Sequence, residues 1–454
     1  MVRLGPHAWR EPRNVLAPFR EEPWAIGLLS GGGGERGRWS YVLRAPDEIL
    51  CLGAQDCADP FQALGALVGP LLQGAGLRDG PPFQGGVVGL AAYELGDRIE
   101  RLGLERAGPW PDLACARFLS LLAFDHESRQ VWSIGRGAGL EDARLAAERA
   151  SSWFDAAPWT ACPDRLATSL NGEAPELYEQ AVAQVTARIG QGEIFQANLA
   201  RRWRGRLRGD AAPFDVVSRL AVLSPAPFAA YMRLPGLALV SNSPERFVQV
   251  RTDGDGLLAE SRPIKGTRPR GRTPSEDAEL ARSLQGSLKD RAENLMIVDL
   301  MRNDLGRVCL PGHVRVPELF SLESFANVHH LVSSVTGRIA PGLGPVDLMR
   351  AAFPAGSVTG APKVQAMRVI AELEPPRGPY CGSIFWIGFD GAMDASVLIR
   401  TVAFEEGAEG WCFEARAGAG LTHDSDPRAE RMETDDKVSM LLSALEGGAY
   451  DPDR

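Results

Sequence analysis

Lysine is nearly absent from this chain of 454 residues. Only four of its 49 basic residues are lysines, at positions 265, 289, 363 and 437, and the rest are arginines. Arginine therefore supplies the ordinary surface charge, and a retained lysine is expected where a guanidinium would fail. A desolvated lysine can lose its proton and act as a nucleophile or base, whereas arginine stays protonated. One of the four, Lys265, lies in the stretch ESRPIKGTRPRG (260–271).

Long apolar runs and basic blocks are also missing. No run approaches the 18 apolar residues of a transmembrane helix, and the N-terminus lacks the apolar core of a signal peptide. The net charge of −9 and the scattered arginines argue against nucleic acid as the main partner. These absences predict a cytoplasmic protein that binds neither membrane nor nucleic acid.

Cysteine is sparse and shows no pairing pattern. The seven cysteines are odd in number, contain no C-x-x-C pair, and the six histidines show no metal-type spacing. They are typical of reduced thiols rather than of a disulfide or zinc framework. Their positions are Cys51, Cys57, Cys115, Cys162, Cys309, Cys381 and Cys412.

The distribution of apolar residues predicts the organisation of the chain. Residues 1–150 alternate short apolar runs with Gly and Pro, a pattern typical of strands, whereas 151–173 read as a connector. Residues 174–446 mix strands and helices without a regular βαβ period, and 447–454 form a tail. The sequence therefore predicts an α+β fold with large antiparallel sheets.

Two local patterns are specific enough to predict individual elements. In APELYEQAVAQVTARIGQGE, residues Leu177, Ala181, Val185 and Ile189 share one helical face. The pair Asp390-Gly391 lies between two apolar runs and predicts the turn of a hairpin.

Three carboxylates stand out as candidate metal ligands. Glu430 and Glu433 are spaced i, i+3, so a helix would present both on one face, and Glu293 adjoins an apolar run. Carboxylates without histidine or cysteine suit a hard cation such as Mg²⁺. The alternative for Glu430 and Glu433 is a solvated helix face.

Two glycine-rich stretches could hold an anion. FPAGSVTGAPK (353–363) does not fit the phosphate-loop pattern, but its glycines and Lys363 permit either an anion cradle or a tight structural turn. In RAGAGLTHDSDP, Gly418 and Gly420 would let backbone amides approach a carboxylate closely. His330, in NVHHLVSSVTG, is by spacing alone either a core residue or a site residue.

Eight motifs in one order carry a family resemblance. They are IFQANLARR, SPERF, RPIKGTRPRG, KDRAENLMIVDLMRNDLG, VHHLVSSVTG, FPAGSVTGAPK, RGPYCGSIFWIGFDGAMDASVLIRT and AGAGLTHDSDPRAERMET. Together they resemble the chorismate-utilising enzymes, which include anthranilate, aminodeoxychorismate, isochorismate and salicylate synthases. The resemblance is close from about residue 175 to 446. It implies a sandwich of large antiparallel sheets with helices outside, as in anthranilate synthase component I.

The resemblance also implies roles for individual residues. Glu293, Glu430 and Glu433 match the family's magnesium site, and Glu245 of SPERF matches a proton donor. His330 matches the histidine of a V-x-H-L motif and is expected to be catalytic. Residues that match substrate-binding positions are Gln196, Thr267, Tyr380, Arg400, Gly418, Ala419, Gly420 and Lys437.

Lys265 separates the branches of this family. Anthranilate synthases resemble the chain but read P-I-A-G-T here, whereas PIKGT is the form of the aminodeoxychorismate synthases. The resemblance implies that Lys265 attacks C2 of chorismate as the C4 hydroxyl leaves, and that ammonia then adds at C4 and expels the lysine. The expected product is 4-amino-4-deoxychorismate, the precursor of p-aminobenzoate in folate biosynthesis.

Other positions weigh the remaining alternatives. Isochorismate and salicylate synthases use a water-activating lysine where this chain has Gln196, so those activities are not favoured. The presence of Lys265 disfavours the alternative of anthranilate synthase component I. The complete set of motifs disfavours a non-catalytic chorismate-binding regulatory subunit. No cysteine lies in a G-x-C-x-G turn, so ammonia is expected from a separate glutamine amidotransferase subunit.

A tryptophan pocket is a further implication of the resemblance. Family members hold tryptophan between an N-terminal segment and a strand near the SPE motif. The matching residues are Ser30, Arg36, Gly37, Arg38, Trp39, Pro227, Phe228 and Ala229. The alternative is ordinary packing of the N-terminal region against the catalytic region.

Overall fold

Two large antiparallel sheets form the frame of the protein. The structure, a computed structural model, describes residues 1–31, 33–72, 80–156, 165–324 and 328–447. Every strand pair within the two sheets of these described segments is antiparallel. Cys162 and residues 448–454 of the predicted tail lie outside the described residues.

The first sheet has twelve strands among the described residues, in the order β1-β8-β7-β3-β2-β11-β12-β21-β22-β10-β18, with β9 also paired to β10. Strands are numbered in chain order. Those of the first sheet are β1 (Val2–His7), β2 (Ile26–Leu28), β3 (Trp39–Leu43), β7 (Ser120–Asp125), β8 (Gln130–Gly135), β9 (Ala167–Gly172), β10 (Gln196–Leu207), β11 (Phe228–Leu234), β12 (Leu237–Ser243), β18 (Gly360–Ala361), β21 (Thr401–Gly407) and β22 (Gly410–Leu421).

The second sheet has ten strands in the described part of the chain, in the order β15-β17-β14-β13-β20-β19-β5-β6-β4, with β16 also paired to β17. Its strands are β4 (Glu48–Leu52), β5 (Gly86–Ala91), β6 (Leu113–Phe118), β13 (Arg246–Asp253), β14 (Gly256–Ser261), β15 (Ile264–Pro269), β16 (Arg315–Ser324), β17 (Val328–Arg338), β19 (Ser383–Gly388) and β20 (Met393–Val397). The predicted Asp390-Gly391 turn joins β19 to β20, with Gly391 at φ +87°.

The described segments also form eleven α-helices. Several begin at local signals in the sequence, since Thr273, Ser287 and Asp426 each accept a backbone N–H at a helix start. The helices are α1 (Pro12–Leu16), α2 (Pro60–Val68), α3 (Asp97–Glu100), α4 (Leu140–Ser151), α5 (Pro175–Gly190), α6 (Pro213–Leu223), α7 (Pro274–Gly286), α8 (Leu288–Gly306), α9 (Pro345–Ala352), α10 (Lys363–Leu373) and α11 (Pro427–Glu446). None of those described is both long and apolar enough to cross a bilayer.

The two sheets pack face to face, with helices on their outer faces. On β3, Tyr41 and Leu43 pack against Val88 and Leu90 of β5 in the opposite sheet, whereas Val42 between them joins a different cluster. This alternation follows from the two-residue period of a strand. Outer clusters bury α6 and α11 against the first sheet, and α2, α8 and α9 against the second. The predicted α+β sandwich is confirmed.

The N-terminal and C-terminal parts of the chain share both sheets. In the first sheet β2 pairs with β11, and in the second β5 pairs with β19. The predicted connector, residues 151–173, includes β9, which pairs with β10. The sheets therefore bring together segments that are far apart in sequence, and these segments surround one cavity.

Candidate active site

A cavity of about 1790 Å³ is lined by residues of both sheets and of helices α8 and α11. Most of the predicted site residues share it. They are Ser30, Arg36, Arg38, Trp39, Pro227, Phe228, Ala229, Glu245, Lys265, Thr267, Glu293, His330, Tyr380, Arg400, Gly418, Gly420, Glu430, Glu433 and Lys437. Of the predicted residues, Gly37, Gln196 and Ala419 are not part of the lining.

Two glycines of strand β22, Gly418 and Gly420, form a glycine wall of the cavity, from which no side chain projects. Gly418 and Gly420 face the cavity, whereas the intervening Ala419 packs on the opposite face, in the cluster formed with α5 and α10. A Cβ at Gly418 would lie 3.0 Å from the Tyr380 hydroxyl oxygen. The Lys437 ammonium donates a hydrogen bond of 2.9 Å to the Gly418 carbonyl. A small acidic group can therefore approach this backbone closely.

Lys265 lies directly against this glycine wall. It is half-buried on β15, and a Cβ at Gly420 would come within 3.0 Å of its Nζ atom. Its positive charge acts on Glu245, Glu293 and Glu433. Lys265 therefore lies beside the glycine wall and close to carboxylates.

Two buried amide side chains border the same wall. Neither amide atom of Gln196 has a hydrogen-bond partner among the described residues, and the same holds for Oδ1 of Asn198. A Cβ at Gly420 would lie 2.3 Å from Nε2 of Gln196, and one at Gly418 would lie 2.9 Å from Oδ1 of Asn198. Buried polar atoms are normally paired, so these atoms are suited to a polar ligand. The sequence prediction missed Asn198, because spacing does not show which residues of IFQAN face the cavity.

Glu245 is a half-buried acid that faces the cavity. It lies between β12 and β13, and the Ser357 hydroxyl donates a hydrogen bond of 2.7 Å to its Oε1 atom. Burial raises the pKa of Glu245, although this hydrogen bond and the charges of Lys265 and Lys437 oppose the shift. The protonated form is therefore favoured relative to a free glutamate. Ser357 was not predicted as a site residue, since its motif indicated only an anion cradle or a turn.

The three predicted metal ligands face one part of the cavity. Glu430 accepts a hydrogen bond of 2.6 Å from Ser425, and Glu433 pairs with Lys437 at 2.5 Å. Burial raises the pKa of Glu293 and of Glu430, and the charge of Glu430 adds to the shift of Glu293. The pKa of Glu433 is lowered despite burial, chiefly by Lys437.

These carboxylates fit a magnesium ion that also takes ligands from elsewhere. Within the described segments, no three His, Cys, Asp or Glu side chains are close enough to hold a metal by themselves. Mg²⁺ commonly binds to one or two protein carboxylates and completes its octahedral shell with water and substrate oxygens. Oxygen-only donors on a cavity wall match that behaviour.

The adjacent histidines of β17 face opposite ways. His329 is buried and bonds Asp277 through Nε2 at 2.9 Å and Ser324 through Nδ1 at 2.7 Å. His330 lines the cavity, and its Nδ1 lies 2.8 Å from the Thr267 hydroxyl. Burial, with the charge of Arg400, lowers the pKa of His330 to about 4. At neutral pH its imidazole is therefore uncharged.

In the glycine-rich stretch 353–363, the lysine has a structural role. Lys363 donates hydrogen bonds to the Asp304 carboxylate at 2.7 Å and to the Ala352 carbonyl at 2.5 Å, and it does not line the cavity. The alternative of an anion cradle built on Lys363 is therefore wrong. The stretch contributes Ser357 to the site instead.

A buried arginine, Arg377, bonds the backbone of segments that carry cavity residues. Arg377 donates to the carbonyls of Asn198 at 2.6 Å and Val358 at 2.9 Å, and it pairs with Glu374 at 2.9 Å. Glu94, from the N-terminal region, accepts the backbone N–H of Arg377 at 2.6 Å. These contacts fix three segments that carry cavity residues.

The residues of the predicted tryptophan pocket occupy the N-terminal side of the same cavity. Gly37 is buried at the end of a short 3₁₀ helix, Glu35–Gly37. Arg38 forms a bidentate ion pair with Asp125, and Arg36 lies 3.4 Å from Glu323. The Arg246 guanidinium lies over the Phe228 ring, 5.3 Å from its centroid. Most cationic groups here are thus already engaged by protein carboxylates.

Comparison with known proteins assigns the family. The profile described as chorismate binding enzyme matches residues 51–443. The chain belongs to the chorismate binding enzyme family. It is therefore a chorismate-utilising enzyme, and the family predicted from the eight motifs is confirmed.

Individual members of the chorismate binding enzyme family show how close the similarity is. Aminodeoxychorismate synthase component 1 of Salmonella typhimurium is 40% identical over 458 residues, covering 96% of this chain and 97% of that protein. The protein of the same name from Escherichia coli K12 is 43% identical over 370 residues, covering 80% and 78%. The crystal structure of anthranilate synthase component I from Streptococcus pneumoniae is similar with a TM-score of 0.77 and 27% identity, covering 90% and 93%.

Proposed function

We propose that this chain is the synthase component that aminates chorismate at C4 to give 4-amino-4-deoxychorismate, the precursor of p-aminobenzoate. The observation that carries the proposal is the position of Lys265, whose Nζ lies against Gly420 in a cavity that also holds the half-buried acid Glu245. Two relatives of 40% and 43% identity that are named aminodeoxychorismate synthase component 1 support it.

Substrate binding follows from the charges and the open backbone of the cavity. Chorismate is a dicarboxylate. One carboxylate would approach the glycine wall near Tyr380 and the Arg400 guanidinium, and the other would lie toward Glu293, Glu430 and Glu433. These glutamates would hold Mg²⁺. When bound, this cation supplies charge neutralisation for a substrate carboxylate and helps to orient the ring.

In the first step Lys265, after its proton has passed to solvent, forms a bond to C2 as a neutral amine while the C4–O bond breaks and both ring double bonds shift. The hydroxyl leaves as water, with the proton of Glu245. A buried carboxylic acid suits this role because its raised pKa keeps the proton available. The step leaves a secondary ammonium on C2 and a carboxylate on Glu245.

In the second step, ammonia forms a bond to C4, both ring double bonds shift back, and Lys265 leaves C2 as a neutral amine. The new ammonium at C4 returns a proton to Glu245, which restores the acid. Gln196, whose buried amide lies behind Gly420 and lacks a partner among the described residues, would bind an amine that reaches it and cannot activate water as a lysine does. His330, which is neutral, together with Thr267 would bind the substrate by hydrogen bonds.

Ammonia is expected from a separate glutaminase. The relatives are named component 1, which implies a further component. We propose a heterodimer in which a glutamine amidotransferase subunit supplies ammonia. We also propose that tryptophan binds on the N-terminal side of the cavity, among Ser30, Trp39 and Phe228.

Product identity tests the proposed reaction. The purified protein is incubated with chorismate, Mg²⁺ and ammonium without any lyase, and the product is followed by mass and fluorescence. We expect a product that keeps its enolpyruvyl group and yields p-aminobenzoate only when a lyase is added. Release of anthranilate with pyruvate would instead assign the activity of the structural relative from Streptococcus pneumoniae.

A further inference from the structure

Lys289 is the cavity lysine to which neither the motifs nor the proposed reaction gives a role. Three of the four lysines, Lys265, Lys289 and Lys437, line the cavity. The Lys289 side chain is 56% exposed, and its ammonium lies 3.9 Å from the Glu293 carboxylate, one helical turn away. Its charge also acts on Glu430 and Glu433, which belong to a different helix. Lys289 therefore contacts Glu293 and acts by its charge on the whole three-glutamate cluster of Glu293, Glu430 and Glu433.

The position of Lys289 on its helix is unfavourable without these glutamates. It is the second residue of α8, which Ser287 caps by accepting the N–H of Asp290. A cation in the first turn opposes the helix dipole and costs about 0.3–1 kcal/mol. A positive charge at this point therefore requires a local reason. The acidic cluster provides one.

The charges of the cluster and of its lysines balance. Glu293, Glu430 and Glu433 carry three negative charges when ionised, and Lys265, Lys289 and Lys437 carry three positive charges when protonated. A divalent cation that entered alone would leave this group with an excess of positive charge. Chorismate brings two carboxylates, which is the charge that one divalent cation neutralises. The charges of these six side chains therefore balance without a ligand, and balance again when substrate and cation bind together.

We propose that the Lys289 ammonium is an exchangeable counter-ion of the three-glutamate cluster, which opposes binding of a divalent cation until the substrate carboxylates are present. This inference rests on the magnesium site of the proposed function. Lys437 is held by Glu433 and by the Gly418 carbonyl, and Lys265 lies against Gly420. Lys289 has the longest ion pair of the group and is the lysine most able to withdraw. It is a positioning residue for the cation and takes no part in bond formation.

Binding of Mn²⁺, used as a spectroscopic substitute for Mg²⁺, tests the inference without turnover. Free Mn²⁺ is measured by electron paramagnetic resonance in the presence of the whole, substrate-free protein. Lys289→Met is expected to bind Mn²⁺ about five- to tenfold more tightly than the unchanged protein, because one opposing charge near the site is removed. Lys289→Arg should stay within about twofold of the unchanged protein.

Arg302→Met is the matched control. It removes a positive charge from the same helix, where Arg302 pairs with Asp299 at 2.8 Å and does not line the cavity. This variant should leave Mn²⁺ binding unchanged. Equal or weaker binding by Lys289→Met would overturn the counter-ion role.

Glu433→Gln separates failure of the inference from failure of the magnesium site. If Glu433→Gln weakens Mn²⁺ binding, the cation binds at the cluster, and the result for Lys289→Met decides the inference. If Glu433→Gln has no effect, the cation binds elsewhere. The proposed magnesium site is then wrong, and the role of Lys289 fails with it.

Discussion

At the scale of single residues, the four lysines occupy two kinds of environment. Lys265, Lys289 and Lys437 line one cavity, whereas Lys363 is buried in an ion pair with Asp304. Apart from the exposed Lys289, each position uses a compact ammonium that approaches oxygen atoms or a glycine backbone closely. The broad, planar guanidinium of arginine does not fit such positions. The scarcity of lysine in the sequence thus pointed to the site before any family was considered.

Ser357 is expected to set the pH range in which Glu245 holds its proton. Its hydrogen bond favours the ionised carboxylate, so Ser357→Ala should raise the pKa of Glu245 further. A proton donor is active below its pKa, and the fall of kcat/KM at high pH should therefore move upward by about one pH unit. The measurement is the pH profile of kcat/KM.

Ser357→Thr keeps the hydroxyl and is the matched control, with an expected profile like that of the unchanged protein. A lower rate with an unmoved alkaline limb in Ser357→Ala would contradict the link between Ser357 and the proton donor.

At the scale of elements, helix α8 carries site residues at one end and is anchored at the other. Lys289 and Glu293 lie in its first turns, and Asp304, in its last turn, pairs with Lys363 at the start of α10. Lys363 also bonds Ala352, the last residue of α9. One ammonium therefore joins three helices and fixes the direction of α8 toward the cavity.

The Lys363–Asp304 pair is expected to couple strongly in unfolding. Lys363→Met leaves the Asp304 carboxylate buried without its partner and should lower the free energy of unfolding by about 3 kcal/mol. Adding Asp304→Asn removes the uncompensated charge, so the double variant should lose less than the two single variants together. Urea unfolding of all three variants measures this coupling. Losses that simply add would show that the pair is not a stabilising unit.

Of the two elements predicted from local patterns, the hairpin turn was predicted correctly and the buried face of a helix only in part. The hairpin at Asp390-Gly391 was predicted because its turn chemistry is local. The prediction for α5 was wrong in part, since Tyr178, Val182 and Val185 are buried whereas Leu177 is 56% exposed. Apolar residues follow two neighbouring stripes of this helix. The position of β10 and α11 against it, which local sequence does not specify, decides which stripe is buried.

At the scale of the whole molecule, long-range pairing places the site. The family and the sandwich were predictable because eight motifs carry them together. The support of the cavity by Glu94 was not, since Glu94 bonds the backbone of Arg377 and Gly378, which lie 283 and 284 residues further along the chain. Each of these residues is unremarkable in its own stretch of sequence. Only the shared sheets bring them together.

Glu94 should make the stability of the whole fold depend on pH. Burial raises the pKa of Glu94 from 4.5 to about 7. Its stabilising contribution is fully present below pH of about 4.5 and is lost as the pH rises through about 7. Between pH 5 and 8 the free energy of unfolding of the unchanged protein should therefore fall by about 2–3 kcal/mol more than that of Glu94→Gln.

Urea unfolding at several pH values measures this difference. Glu94→Gln also loses one acceptor for a backbone N–H, which lowers its stability by a similar amount at every pH. The relevant quantity is therefore the change in the free energy of unfolding with pH, and not the difference between the two proteins at any one pH. Parallel pH dependences in the two proteins would contradict a raised pKa for Glu94.

The proposed reaction depends on a covalent bond between Lys265 and the ring of chorismate. The most direct measurement is mass spectrometry of the protein after acid quenching, following mixing with chorismate and Mg²⁺ in the absence of ammonia. We expect an added mass of chorismate minus one water on the peptide that contains Lys265, and no such mass in Lys265→Ala. A protein that turns over with ammonium but never carries this adduct, or carries it on another residue, would rule out Lys265 as the nucleophile.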